Sequence, residues 1–177
     1  ALAYVMKLLE PAMPIVAADL KVYLSGGAAN TDPNLALGGA ISSTLAPANL
    51  FDNVSSAEAS AGTTDYRCYY VKNTHATLTL QSAKVWIQSN TPSADTAVTI
   101  ALAGEGVNGT AETVANETTA PVGETFSAAA TEGAALSIGN IPPGQYQAIW
   151  VKRVVNAGAA AYTGDGATFR VKGDTSS

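Results

Sequence analysis

One histidine, one cysteine and fourteen carboxylates are the side chains of this 177-residue chain that could carry proton transfer, nucleophilic attack or metal binding. A nucleophile of the Ser-His or Cys-His kind needs a base beside it. The one imidazole, His75, sits in the turn-like run Asn73-Thr74-His75-Ala76. No Gly-x-Ser-x-Gly elbow accompanies it, so His75 reads as a turn residue. Cys68 lies in the apolar run Cys68-Tyr69-Tyr70-Val71 and reads as a small buried hydrophobe. A single cysteine also rules out an internal disulfide. Paired carboxylates could hydrolyse a glycosidic bond, but here they stand mostly in loops beside Gly, Ser and Thr, where solvated charges are expected. There is no cysteine pair, no second histidine and no Asp-x-Asp-x-Asp-Gly loop to hold a metal. Gly26-Gly27 and Gly38-Gly39 lack the lysine and helix of a phosphate loop. The residues therefore predict a protein that binds and packs, with no catalytic, cofactor-binding or metal-ligating site.

Two further patterns have simple readings. Sequons at Asn53, Asn108 and Asn116 would matter only in a eukaryotic secretory protein, and Asn108-Gly109 reads as a tight hairpin turn. Tyr66, Tyr69, Tyr70, Trp86, Tyr146, Trp150 and Tyr162 could line a sugar-binding face. At period 2, however, some must point inward, which favours core or interface.

Composition supports packing. Charged residues make up 13% of the chain against 47% hydrophobic, where about 25% charged is usual. Ala, Gly, Ser and Thr must therefore cover much of the surface, and such a surface can meet a neighbour without desolvating many charges. The net charge of −5 and the absence of a basic stripe argue against nucleic acid and against an acidic membrane surface as partners. No apolar run reaches about 18 residues, the length that spans a bilayer.

The elements that must position these residues are strands. Leu20, Val22 and Leu24 alternate with Lys21 and Tyr23. Further runs follow over residues 66–73, 77–89, 97–103, 135–138, 145–155 and 168–172, separated by Gly, Pro and Asn clusters. In the long run, Tyr146, Ala148 and Trp150 share one face and Ile149, Val151 and Val155 the other. Ile141-Pro142-Pro143-Gly144 is a sharp turn that launches it. Short strands spaced by turns predict an all-β fold, an antiparallel immunoglobulin-like β-sandwich.

The chain divides into an arm over 1–19, a strand plus long extended surface loop packed on the body over 20–63, and the sandwich over 64–177. In the arm, Leu2, Val5, Met6 and Leu9 recur at helical spacing, and Pro11 and Pro14 end the pattern. Lys7 and Glu10 interrupt the apolar stretch a signal peptide needs. So short a helix must dock on its own domain or on another subunit. In the loop, Leu50 and Phe51 are expected to plug apolar pockets. Leu2, Val5, Met6, Leu9, Leu50 and Phe51 are thus the candidate interaction residues.

The stretch from Leu24 to Asn34, then Leu37-Gly38-Gly39, Asn49-Leu50-Phe51-Asp52-Asn53-Val54, Asp65 to Asn73 and Ile141 to Gly144 resembles a group of small virion proteins of tailed bacteriophages. The resemblance covers residues 13 to 175 and rests on structural motifs. It implies a capsid decoration (cement) protein on the head exterior, bound to the major capsid protein and to copies of itself as a trimer. Met13-Pro14-Ile15 matches the usual start of such proteins, and the preceding twelve residues depart from the pattern. Two other readings stand beside it: a head–tail joining or tail protein, and a carbohydrate-binding or adhesin module.

Overall fold

A computed structural model describes residues 14–175. The chain is all-β, with nine strands in three antiparallel sheets among those residues. Strands β1 (Leu20–Leu24), β3 (Thr63–Asn73), β8 (Tyr146–Val155) and β5 (Thr96–Leu102) form a central sheet in the order β1-β3-β8-β5. Strands β7 (Leu136–Ile141), β4 (Leu80–Ser89) and β9 (Thr168–Thr175) form a second sheet in the order β7-β4-β9. A small ladder joins β2 (Gly38–Gly39) to β6 (Ala111–Thr113). The two larger sheets establish a sandwich; their order does not by itself carry the immunoglobulin-like subclass.

Alternating side chains close the sandwich. Tyr69 and Val71 of β3, Ile149 and Val151 of β8, and Val98 and Ile100 of β5 meet Val85 and Ile87 of β4 in one buried cluster. Phe169 and Val171 of β9 pack at its margin. The sequence alternation of β4 slips by one residue between Leu80 and Val85, yet both are buried. A β-bulge reconciles them: Ser82 takes φ +51° and the register shifts between Leu80 and Ala83. An extra residue in one strand moves the following side chains to the other face.

The central sheet is buried on its other face as well. Cys68, Tyr70, Ala148 and Trp150 form a second cluster with Ala101, Ala103, Ala111 and Val114. The continuous apolar runs of β3 and β8 have this cause, since strands covered on both sides lose their polar alternation. The cover is irregular. Leu37 and Ile41 pack on the second cluster, whereas Leu50 and Phe51 pack on the first. The segment between β1 and β3 therefore passes around the edge of the sheet. On the way Ser42 and Ala46 donate backbone hydrogen bonds to Leu24 and Val22 of β1.

Most of residues 28–62 are exposed or half-buried, with Ala36, Gly38 and Ser42 buried against the body, and the segment carries β2 and a helix, α1 (Ser56–Ala61). The helix is signalled locally: Ser55 and Glu58 form a reciprocal capping box. Asn108 does adopt a left-handed φ of +62° in a turn, but the flanking strands β5 and β6 enter different sheets. The turn is therefore not a hairpin.

Candidate functional site

Asp65, Arg67 and Arg153 stand at period 2 on the face of β3 and β8 that carries the first cluster. All three are buried, Asp65 completely. A charge leaves water at high cost unless paired, and each finds partners. Arg153 donates from Nε and Nη2 to Asp65 Oδ2 at 3.1 and 2.8 Å, while Thr63 donates to Asp65 Oδ1. Arg67 pairs with Glu117 at 2.5 Å, and Asp52 lies 3.7 Å from Arg67 and 3.6 Å from Arg153. Phe51 covers both guanidinium groups, with centroid distances of 5.4 Å to Arg67 and 4.7 Å to Arg153. Cation–π contact and desolvation favour this stacking. Phe51 thus packs on apolar side chains, as expected, and also on two cations.

Glu58, Asp65 and Glu117 bring carboxylate oxygens within 4.8 Å of one another and are the residues that could hold a cation. Their oxygens are engaged. Asp65 and Glu117 take the arginines, and Glu58 accepts from the Ser55 N–H at 2.6 Å, which lowers its pKa. With two guanidinium groups interleaved, the geometry is an ionic network that ties β3, β8 and the Phe51 segment together.

The other chemistry-bearing residues serve structure. His75 Nδ1 accepts backbone N–H groups of Thr77 and Leu78 and so closes the turn between β3 and β4. Cys68 is fully buried, and burial raises its thiol pKa far above the ordinary value. Its carbonyl accepts from Ser25 Oγ, which in turn accepts from the Gly38 N–H. Tyr70 donates to the Gly39 carbonyl at 2.6 Å and accepts from Ala111 N at 2.9 Å. Burial pushes its hydroxyl up to about 12. Of the aromatic residues considered for a sugar platform, Tyr69, Tyr70, Trp86 and Trp150 are buried, Tyr66 and Tyr146 are half-buried, and Tyr162 is exposed.

Two clefts open on the same side of the sandwich. The larger, about 930 Å³, runs between the 48–60 and 158–169 segments with Arg153 on its wall. The smaller, about 440 Å³, lies where the second sheet stops short of β1. Its walls are Leu20, Val22, Leu50, Phe169 and Val171 with small residues from 46–48, and no charged side chain lines it. Exposed Val16 and Leu45 each immediately precede a residue that lines it, Ala17 and Ala46. Of the residues predicted to interact, the structure places Leu50 in this groove and Phe51 over the arginines. Leu2, Val5, Met6 and Leu9 lie outside the described residues.

Sequence reasoning missed the ionic network and the groove. The network had a signal: charged residues at inward positions of two otherwise apolar strands. The groove had none, because β1 and β9 are brought together only by the fold. Compared with family models, curated proteins and solved structures, the chain finds no match.

Proposed function

We propose that the chain is a structural component of a tailed-bacteriophage particle: a decoration protein on the head exterior that binds the major capsid protein and copies of itself. The observation that carries this reading is where the motifs of the phage resemblance fall. Leu24–Asn34 and Leu37–Gly39 build the irregular cover, Leu50 and Phe51 close the first cluster, and Ile141–Gly144 carries the chain from one large sheet to the other. These residues pack on the two buried clusters or join the two large sheets. The side chains most able to do chemistry, His75, Cys68 and the buried ions, are occupied in holding it.

A particle protein of this kind needs weak contacts repeated by symmetry, which give avidity without large single-site affinity. A surface poor in charge suits it, since interface cores are depleted in charged residues. The test is to add the purified chain to capsids lacking it and count bound copies by quantitative mass spectrometry. Copy numbers that follow the head lattice support the reading. A small ring-like number favours a head–tail joining or tail protein. No binding to capsids, with glycan affinity lost in Tyr162→Ala, would replace it with a carbohydrate-binding module.

A further inference from the structure

The core between the two large sheets is left open along one margin. Val22 points from β1 toward the first cluster, opposite Val71 in the register, yet it remains 36% exposed because the second sheet ends at β9. The buried side chains of Tyr69 and Val71 form the floor of the resulting groove, and Phe169 and Val171 of β9 form its far wall. An apolar groove of this kind exposes surface that water disfavours. Its volume, about 440 Å³, suffices for a few large apolar side chains.

We propose that this groove is the docking site of the chain's own N-terminal segment, residues 1–13, with Leu2, Val5, Met6 and Leu9 turned into it. Three observations converge. First, the described chain begins beside the groove: Ile15 packs with Leu20 on the Leu80–Ile141 cluster, and Ala17 lines the groove itself. Second, the segment has matching chemistry. Leu2, Val5, Met6 and Leu9 recur at the i, i+3, i+4, i+7 spacing that would put them on one face of a helix with Lys7 opposite, so a charge-free stripe would meet a charge-free groove. Third, Leu2 to Leu9 would span roughly 11 Å as a helix, and Pro11 and Pro14 would end it short of the described strands. Attachment also favours the chain's own segment over that of another copy, because a short tether supplies an effective concentration in the millimolar range. This goes beyond the virion reading and does not depend on it.

The test uses a nitroxide label on Val5→Cys, with Cys68 shielded from the reagent by its burial. NMR relaxation is read at the amides of Val22 and Val171. Strong broadening when label and isotope are on the same chain is the expected result. Broadening only when labelled and isotopic chains are mixed would assign the groove to another copy's arm and overturn the proposal. No broadening at either amide would overturn it as well. A chain starting at Met13 should show a several-fold rise in ANS fluorescence and a thermal midpoint lower by several degrees. The full-length double variant Val5→Asp, Leu9→Asp should do the same while its far-UV circular dichroism stays β-rich. Unchanged ANS binding in that folded variant would contradict the docking.

Discussion

Each face of the central sheet carries a buried cluster, and the two are covered by different means. On one, a regular three-stranded sheet supplies Val85, Ile87 and Phe169 against Tyr69, Val71, Ile149 and Val151. On the other, Trp150, Tyr70 and Cys68 are covered by a two-residue ladder, turns and extended chain. A sheet cover satisfies its own backbone through the ladder. An irregular cover must do so one group at a time, through Ser25, Tyr70 and Asn30 side chains bonded to backbone. It must also let the backbone come very close. A Cβ on Gly38, where φ is +89°, would lie 1.7 Å from the Glu112 carbonyl oxygen and 3.0 Å from Trp150. Burial is thus available without regular structure, but at particular residues that cannot be exchanged.

The largest effect that could break this comparison is truncation of one core residue per face. Trp150→Ala should destabilise by ~3–5 kcal/mol and Ile149→Ala by ~2–5 kcal/mol in urea unfolding. A cost for Trp150→Ala under about 1 kcal/mol would mean that the irregular cover encloses no true core. Gly38→Ala comes next. A left-handed backbone with backbone atoms in the way leaves no relaxed position, so a loss of ~2 kcal/mol or more is expected, with the β2–β6 ladder displaced in NMR spectra. Tyr70→Phe should cost ~1–3 kcal/mol, since it removes the bond to Gly39 and strands the buried N–H of Ala111. A neutral result would show that water replaces the hydroxyl.

The smallest effect belongs to the sheet-covered side. Glu132 bridges Lys172 and Lys84, both at 2.8 Å, and hydrogen bonds from these lysines lower its pKa from 4.5 to about 2. The folded carboxyl releases its proton more readily than the unfolded one. Its contribution to stability is therefore complete above pH 4.5 and fades as pH falls toward about 2. The group is fully exposed, so the effect is small. Carboxyl NMR should give a Glu132 midpoint near 2; a midpoint at the ordinary 4.5 would show the bridge to be unformed in solution.

The regular face was the more legible in sequence. Alternation placed β5, β8 and β9 and assigned the two faces of β8 correctly, because period 2 is a local property. The bulge at Ser82 was not legible, since it needs the partner strand. The irregular face was hidden for the same reason. Nothing local says that Gly38 lies against Trp150. The capping box at Ser55 and Glu58 was readable and marks α1. The Asp65–Arg153 pair joins positions 88 residues apart. Charges at inward strand positions announce that partners must exist, while only the sheet register says which.

Hydrogen exchange tests two-sided burial most directly. The slowest amides should be those of Tyr69–Val71 and Ala148–Val151, at the rate of global unfolding, with the 26–46 cover, and the Cys68 N–H that donates to its Ala36 carbonyl, opening earlier and locally. Rapid exchange of Ala148 and Trp150 beside slow exchange of Val85 and Ile87 would contradict the second core and leave a single two-sheet sandwich.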